Sequence, residues 1–254
     1  MSMGSLITSK PTDKEAFKEP YLRLTDFFNF KLAFSDNEKK HFYKLRHEVF
    51  CQELSYKMNI LNGVEKDDYD HSSIHCIIEH KHTGITAGGL RVITLDSSLE
   101  KAASKLPIEE QYKNKLPEFI TELPRKNICE ASRLVISRRF REGLTYNHEP
   151  LIKDEKSTFP YLIIGLFLSS YAIAELFNKQ HMFAMMEPTL PRLLRKYGFN
   201  FIKVGDPIHY HGIREPYYID NSTASNGMAK KLLPLYREIH DQLNCSKTEL
   251  STTI

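Results

Sequence analysis

Residues 127–137 read NICEASRLVIS, and the way charge is placed in this stretch decides the fold. Ile128, Cys129, Val135 and Ile136 give the run the character of a central strand, yet Glu130 and Arg133 stand inside it. A charge taken out of water is costly unless it is paired, so both side chains need partners. Along a regular strand, positions three apart face opposite sides of the sheet. Glu130 and Arg133 can therefore reach one site only if the strand is bulged between them.

The same conflict recurs three times earlier in the chain. Residues 41–56 (HFYKLRHEVFCQELSY) carry Arg46, residues 65–70 (EKDDYD) carry Asp67 and Asp70, and residues 88–93 (GGLRVI) carry Arg91. Four such placements point to one shared polar cluster, which is either an ion-pair network or a reaction site. Guanidinium binds carboxylate in a planar, bidentate way, so Arg46, Arg91 and Arg133 are the natural partners of Asp67 and Asp70. An Arg left over could hold the carboxylate of a ligand. Asp68 reads as plain surface charge.

Around these stretches the chain divides into elements. Residues 22–34 (LRLTDFFNFKLAF) read as a strand. Ser35 opens a capping box with Glu38, and a helix follows to about Leu54. Residues 74–80 and 85–94 read as a hairpin around the turn at 82–84, with Gly88-Gly89 marking a bulge or a close backbone approach. Residues 96–126 form a polar excursion with short helical pieces, and 138–156 a basic, then mixed loop. A strand at 181–187, a helix ending at Gly198, a strand at 199–205, an extended arm over 206–219 and an amphipathic helix over 228–243 complete the order. This order predicts one α/β domain over residues 21–245, between a loose segment 1–20 and a tail 246–254.

Composition narrows the classes. With 254 residues, 41% hydrophobic and 26% charged, the chain is long enough for a sizeable core and has the balance of a globular protein. A net charge of +3 without an aromatic-rich basic stripe argues against nucleic acid as a partner. The four cysteines, Cys51, Cys76, Cys129 and Cys245, have neither zinc-ligand nor disulfide-framework spacing. His209 and His211 share one face of a strand as two metal ligands would, but no third ligand accompanies them, so no metal is expected. The uncharged run 157–174 (STFPYLIIGLFLSSYAIA) is at the short limit for a membrane span. Ser157 or Thr158 as N-cap with Pro160 in the first turn describes a buried helix instead. The N-terminus lacks the apolar core of a signal peptide, so the expected location is cytoplasmic.

The spacing Arg46-x-x-Val49-Phe50, the aromatic Tyr56, Glu65-x-Asp67-x-Tyr69-Asp70, Arg91 and Glu130-x-Ser132-Arg133 resembles that of the GNAT-like acyltransferases of the autoinducer-synthase branch. The resemblance spans roughly residues 40–140. Acyl-homoserine-lactone synthases usually carry Trp where this chain has Tyr56, and the chain contains no Trp. Its second half is more similar to the long-chain N-acyl amino acid synthases. It also resembles the acyltransferases associated with PEP-CTERM/exosortase systems, whose D-x-H-S-x-H pattern is approximated by residues 70–75. The fold this implies is a three-layer α/β sandwich with a mixed, mostly antiparallel central sheet, distorted at the strand that carries Glu130.

The implied activity is transfer of a medium or long acyl chain from an acyl carrier protein thioester to the amine of an amino acid or similar small molecule. Alternatives are a lactone synthase using S-adenosylmethionine, or a non-catalytic sensor of acyl carrier or lipid. Glu130 is the candidate base for the amine, against the plainer reading of an ion pair with Arg133; Arg133 and Asp67 complete the catalytic set. Arg46, Asp70, Arg91, Phe50 and Tyr56 are the expected substrate pocket. Arg138, Arg139 and Arg141 follow the central strand where relatives bind the pantetheine arm. With only Gly143 nearby, they suit a carrier protein's acidic surface better than the pyrophosphate of coenzyme A. The donor thioester is the sole cofactor-like group expected. Leu194 occupies the position of the tyrosine acid of many acetyl-transferring relatives. Phe159, Leu162, Leu166, Phe183 and Met185 could line an acyl tunnel or be core. Cys129 reads as core, not as a nucleophile.

Overall fold

A computed structural model of the chain describes residues 19–95, 103–144, 152–222 and 227–253. Most of the segment 1–20 and parts of the 96–126 and 138–156 stretches lie outside the described residues. The strand expected from residue 22 begins later. Pro20–Arg23 form a 3-10 turn and Leu24–Phe27 a single helical turn, α1, before β1 (Phe28–Ala33). Pro20 at the first helical position favours that turn. The capping box then forms as expected: Ser35 Oγ accepts the Glu38 N–H at 3.3 Å, and Glu38 Oε2 accepts the Ser35 N–H at 3.1 Å. Helix α2 (Asp36–Arg46) follows, and its continuation, His47–Glu53, is wound as a π-helix.

Two two-residue strands, β2 (Ile60–Leu61) and β3 (Val64–Glu65), make a small hairpin that the sequence did not announce. Strands β4 (Ser73–His80) and β5 (Thr86–Thr94) form the expected hairpin. Gly89 has no room for a side chain, because a Cβ there would stand 2.6 Å from the Phe42 ring and 2.8 Å from the Cys76 carbonyl. The close approach read from Gly88-Gly89 is therefore the seating of α2 on the sheet. The excursion holds α3 (Pro107–Tyr112) and α4 (Glu118–Thr121), and β6 (Ile128–Ile136) is the central strand.

Beyond it come the short α5 (Arg138–Arg141) and then α6 (Lys153–Thr158), which passes through a 3-10 turn at Phe159–Tyr161 into α7 (Leu162–Leu176). The helix thus starts before residue 157. Ser157 and Thr158 do not cap it; their hydroxyls bond to the carbonyls of Asp154 and Glu155. The remaining elements are β7 (His181–Met186), α8 (Leu190–Arg195), β8 (Ile202–Lys203), β9 (Ile208–His209), β10 (Ile213–Asp220) and α9 (Leu233–Thr253). Strand β8 is much shorter than the predicted 199–205, and the 206–219 arm is a hairpin. Helix α9 continues through the residues read as a tail.

The eight-stranded sheet has the order β1-β4-β5-β6-β7-β10-β8, with β9 paired to β10. Every pairing is antiparallel except that of β6 with β7. One face carries the main core, where Cys76, Val92, Cys129 and Met182 meet α7 and α9. The other face carries two smaller apolar clusters. Ile77, Phe42 and Val49 form one under α2; Ile93, Ile108, Phe183 and Tyr218 form the other under α3.

Lys153–Leu176 is long and apolar enough to cross a membrane, but 72% of its most apolar window is buried within the protein. Ser169 and Ser170, which would be costly in an apolar helix, donate to the carbonyls of Gly165 and Phe167.

Candidate active site

The register of the sheet places Arg91 opposite Ser132 and Ile93 opposite Glu130, so these four side chains share the face between the two smaller clusters. Between Ser132 and Val135 the register slips against β5, and Arg133 adopts a left-handed φ of 54°. This is the bulge that the positions of Glu130 and Arg133 required. It turns Arg133, which a regular strand would aim at the main core, onto the polar face.

Three guanidinium groups and three carboxylates close into one network there. Arg91 grips Asp67 edge-on, with Nη1–Oδ1 at 2.5 Å and Nη2–Oδ2 at 2.8 Å, and its Nε donates to Ser132 Oγ at 3.0 Å. Arg133 adds a bond to Asp67 Oδ2 at 2.8 Å and one to Glu65 Oε1 at 3.3 Å. Arg46 binds Asp70 at 2.6 and 3.1 Å and reaches Glu65 with its Nε. Asp70 also meets Arg91 at 2.9 Å and His75 Nε2 at 3.0 Å, and it accepts the Asp67 N–H.

Burial alone would raise the pKa of Asp67 and Asp70, but the surrounding guanidinium groups, with His75 at Asp70, hold both below the usual carboxylate range. His75 is kept neutral, because burial and then Arg46 and Arg91 outweigh the pull of Asp70.

The expected partnership of arginines with aspartates is therefore present, and none of the three arginines is left over. Glu65 was quoted in the sequence spacing without a role, yet it is fully buried and bridges Arg46 and Arg133. Its place in the tiny β2–β3 hairpin gave no periodicity by which to see it.

Glu130 stands apart from the network. It makes no ion pair with Arg133; its Oε2 instead accepts the Ile108 N–H from α3 at 2.8 Å. It is 2% exposed, and burial pushes its pKa up to about 7, which Ile108, Arg91 and Arg133 only partly offset. A carboxylate with this value is half ionised at neutral pH and suited to exchange protons.

Strands β6 and β7 pair only from Ile128 to Ala131, opposite His181 to Ala184. Beyond that point they diverge, and a cavity of about 670 Å³ fills the split. At its polar end stand Asp67, Arg91, Glu130, Ser132 and Arg133. An aromatic wall follows, in which Phe50 and Tyr56 stack at 6.2 Å and Tyr56 and His211 at 5.1 Å. The apolar end is lined by Ile163 and Phe167 of α7, Met185 and Met186 of β7, and Leu190 and Leu193 of α8.

Several expected residues lie elsewhere. Arg46 and Asp70 do not reach the cavity; they sit behind Asp67 and Arg91 and hold them in position. Of the suggested tunnel residues only Met185 lines the cavity, while Phe159, Leu162, Leu166 and Phe183 are core. Helix α7 presents the face Ile163, Phe167, Ser170 instead, the i, i+4, i+7 stripe beside the one chosen. In the basic trio, Arg141 lines the cavity mouth and is tied to Glu53, whereas Arg138 is exposed and paired with Glu142.

Leu194 is fully buried, and Cys129 lies on the main-core face, its thiol pushed up to about 12 by burial. Among the described residues no group of three or more His, Cys, Asp or Glu side chains could hold a metal.

A family model described as an acetyltransferase (GNAT) domain matches residues 45–148. The chain is similar in structure to BjaI, a CoA-dependent acyl-homoserine lactone synthase solved with SAM and isopentyl-CoA. The TM-score is 0.57 at 16% identity, over 84% of this chain and 90% of that one. It is similar to FeeM, an N-acyl amino acid synthase from uncultured soil microbes, at TM-score 0.57 and 12% identity, over 79% and 95% of the two chains. The AHL synthase LasI matches at TM-score 0.52 and 16% identity, over 82% and 94%. No curated protein sequence matches the chain. The mixed sheet that splits after one short parallel pairing, the bulged central strand and these likenesses agree: the chain has the GNAT-like acyltransferase fold.

Proposed function

We propose that the chain is an N-acyltransferase that moves a medium or long acyl group from an acyl carrier protein thioester to the amine of an amino acid or similar small molecule. The observation that carries this reading is the cavity itself. One continuous space joins a buried carboxylate that titrates at about 7 to an apolar limb walled by three different elements, α7, β7 and α8.

In this reading the acyl chain lies along Ile163, Phe167 and Leu193 with its thioester carbonyl between the diverging strands. Ionised Glu130 takes a proton from the acceptor ammonium, directly or through a water. The neutral amine attacks the carbonyl carbon, and the oxyanion that forms needs preorganised donors. Past Ala131, β6 has no β7 partner, so its backbone N–H groups on that side are placed to serve. Collapse forms the amide and breaks the carbon–sulfur bond, and the second proton shed by the attacking nitrogen passes to the departing sulfur, directly or through a water. The thiolate leaves with an ordinary thiol acidity near 8.5 and needs no strong acid. Arg91, Arg133 and Asp67 shape the polar end in which the amine is held. Transfer is direct, since Cys129 faces away from the cavity.

Arg141 at the cavity mouth, on the same short helix as the exposed Arg138 and as Arg139, supports a carrier protein as donor. The test is to incubate the purified protein with carrier loaded with C8–C16 chains, all common amino acids and S-adenosylmethionine, and to search for new small molecules by mass spectrometry. An N-acyl amino acid is the expected product. An acyl lactone would replace this reading with that of a lactone synthase, and tight carrier binding with no product would favour a sensor.

A further inference from the structure

The β9–β10 hairpin contributes side chains to the cavity for which the acyl-transfer reading gives no role: Tyr210, His211 and Arg214. Two consecutive residues in its turn, His211 and Gly212, have positive φ angles of 51° and 93°. For histidine that conformation is strained, and such strain is retained where neighbouring contacts over-determine it. Here the contact is the stack of its ring on Tyr56, whose hydroxyl in turn lies 3.4 Å from Arg214 Nη2. Gly212 leaves space for the guanidinium, since a Cβ at that position would come within 3.2 Å of Arg214 Nη1.

The charges around the cavity single out Arg214. Arg91 and Arg133 end on buried or largely buried carboxylates, and Arg141 on Glu53. Arg214 has a side chain only 16% exposed, yet among the described residues its carboxylate partner is Glu187, which is 58% exposed and meets Nη1 at 3.0 Å, a nitrogen that also donates to the Ile213 carbonyl at 3.0 Å. The other nitrogen faces a phenol. A largely buried guanidinium with one edge on a water-exposed partner and the other on a neutral group has capacity for a planar, bidentate anion. The other charge of the cavity that, among the described residues, lacks a buried ion-pair partner is Glu130, of opposite sign, which meets only the Ile108 N–H. A zwitterion complements both, with its ammonium toward Glu130 and its carboxylate toward Arg214.

We propose that Arg214, held by the strained β9–β10 turn, binds the carboxylate of the acceptor and restricts acceptors to α-amino acids with a free carboxyl group. This rests on the acyltransferase reading and narrows it. A phosphate of the donor's pantetheine arm offers similar anionic chemistry, so the test separates acceptor from donor.

Wild type, Arg214→Ala and Arg214→Lys are assayed with loaded carrier and either an equimolar mixture of the common amino acids or the matching mixture of amino-acid amides. In Arg214→Ala the rate at low acceptor concentration falls about 10- to 100-fold with the acids and stays within threefold with the amides. Arg214→Lys recovers part of the loss, and the KM for the carrier does not move. Because each variant is compared with wild type on the same mixture, the lower amine pKa of the amides cancels.

An equal fall on acids and amides overturns the assignment, as does a rise in carrier KM, which would give Arg214 to the donor. Absence of transfer by wild type on both mixtures defeats the acyltransferase reading itself and the assignment with it.

Discussion

Glu130 Oε2 accepts the backbone N–H of Ile108 at 2.8 Å, so the candidate base is oriented by a helix from the polar excursion that precedes its own strand. The bond leaves the carboxylate facing the cavity while burial holds its pKa at about 7. A base must be ionised to work. The rate of transfer at low acceptor concentration therefore rises with pH through about 7, before any ionisation of the acceptor's own amine. Glu130→Gln removes this inflection, lowers turnover at least 100-fold and leaves carrier affinity within a factor of three. A pH–rate series on both proteins, with carrier binding measured by titration, checks the prediction. An inflection that survives in the variant would remove Glu130 from the role.

The same group links stability to pH. Folded, Glu130 keeps its proton up to about 7; unfolded, it releases it at the ordinary 4.5. Between those values the folded state binds more protons, so the stability this residue contributes falls as pH rises across the window. Glu130→Gln never ionises and retains an acceptor for Ile108. It should match wild type at pH 4 and exceed it at pH 8 by about 3 kcal/mol. Urea denaturation at the two pH values decides the matter, and a difference independent of pH refutes it.

Arg46 is fully buried and is shared by Glu65 and Asp70, so its removal leaves two buried carboxylates each short of a guanidinium partner, with Arg133 left on Glu65 and Arg91 and His75 left on Asp70. Arg46→Ala should lose about 3–5 kcal/mol of stability, whereas Arg138→Ala, at an exposed pair, should lose less than about 0.5 kcal/mol. Thermal unfolding of the two variants side by side gives the comparison. Near-equal midpoints would mean that the cluster does not hold the fold.

Cys129 neighbours the candidate base in sequence but belongs to the opposite face, with a thiol that burial holds at about 12. Cys129→Ala should keep more than half of the turnover and show no change in burst kinetics, at a stability cost of order 1 kcal/mol. Loss of turnover in a variant that still binds carrier would indicate a covalent acyl intermediate.

The parts of this architecture that could be read from the sequence are those governed by local rules. The Ser35–Glu38 cap, the Gly88-Gly89 approach and the bulge demanded by Glu130 and Arg133 each follow from what a few neighbouring residues can do. What was not legible depends on long-range packing. Glu65 earns its place only because Arg46 and Arg133 converge on it from two other elements. His211 became a wall of the cavity through a turn whose backbone conformation no residue type announced. The choice between the Leu162–Leu166 face of α7 and the Ile163–Phe167 face was closed to periodicity, because the helix is apolar all round.

That all-round apolarity has a consequence for how such a protein can change over time. On α7, Ile163, Phe167 and Ser170 border open space, while the residues interleaved with them support the sheet. Exchanges among apolar side chains of differing size at the first group alter the depth and width of the apolar limb without touching the charged cluster or the strand register. Under the acyl-transfer proposal, chain-length preference is thus a separable, evolvable trait: a lineage would drift from one fatty donor to another by single substitutions on one helical stripe, with the polar end of the cavity inherited intact.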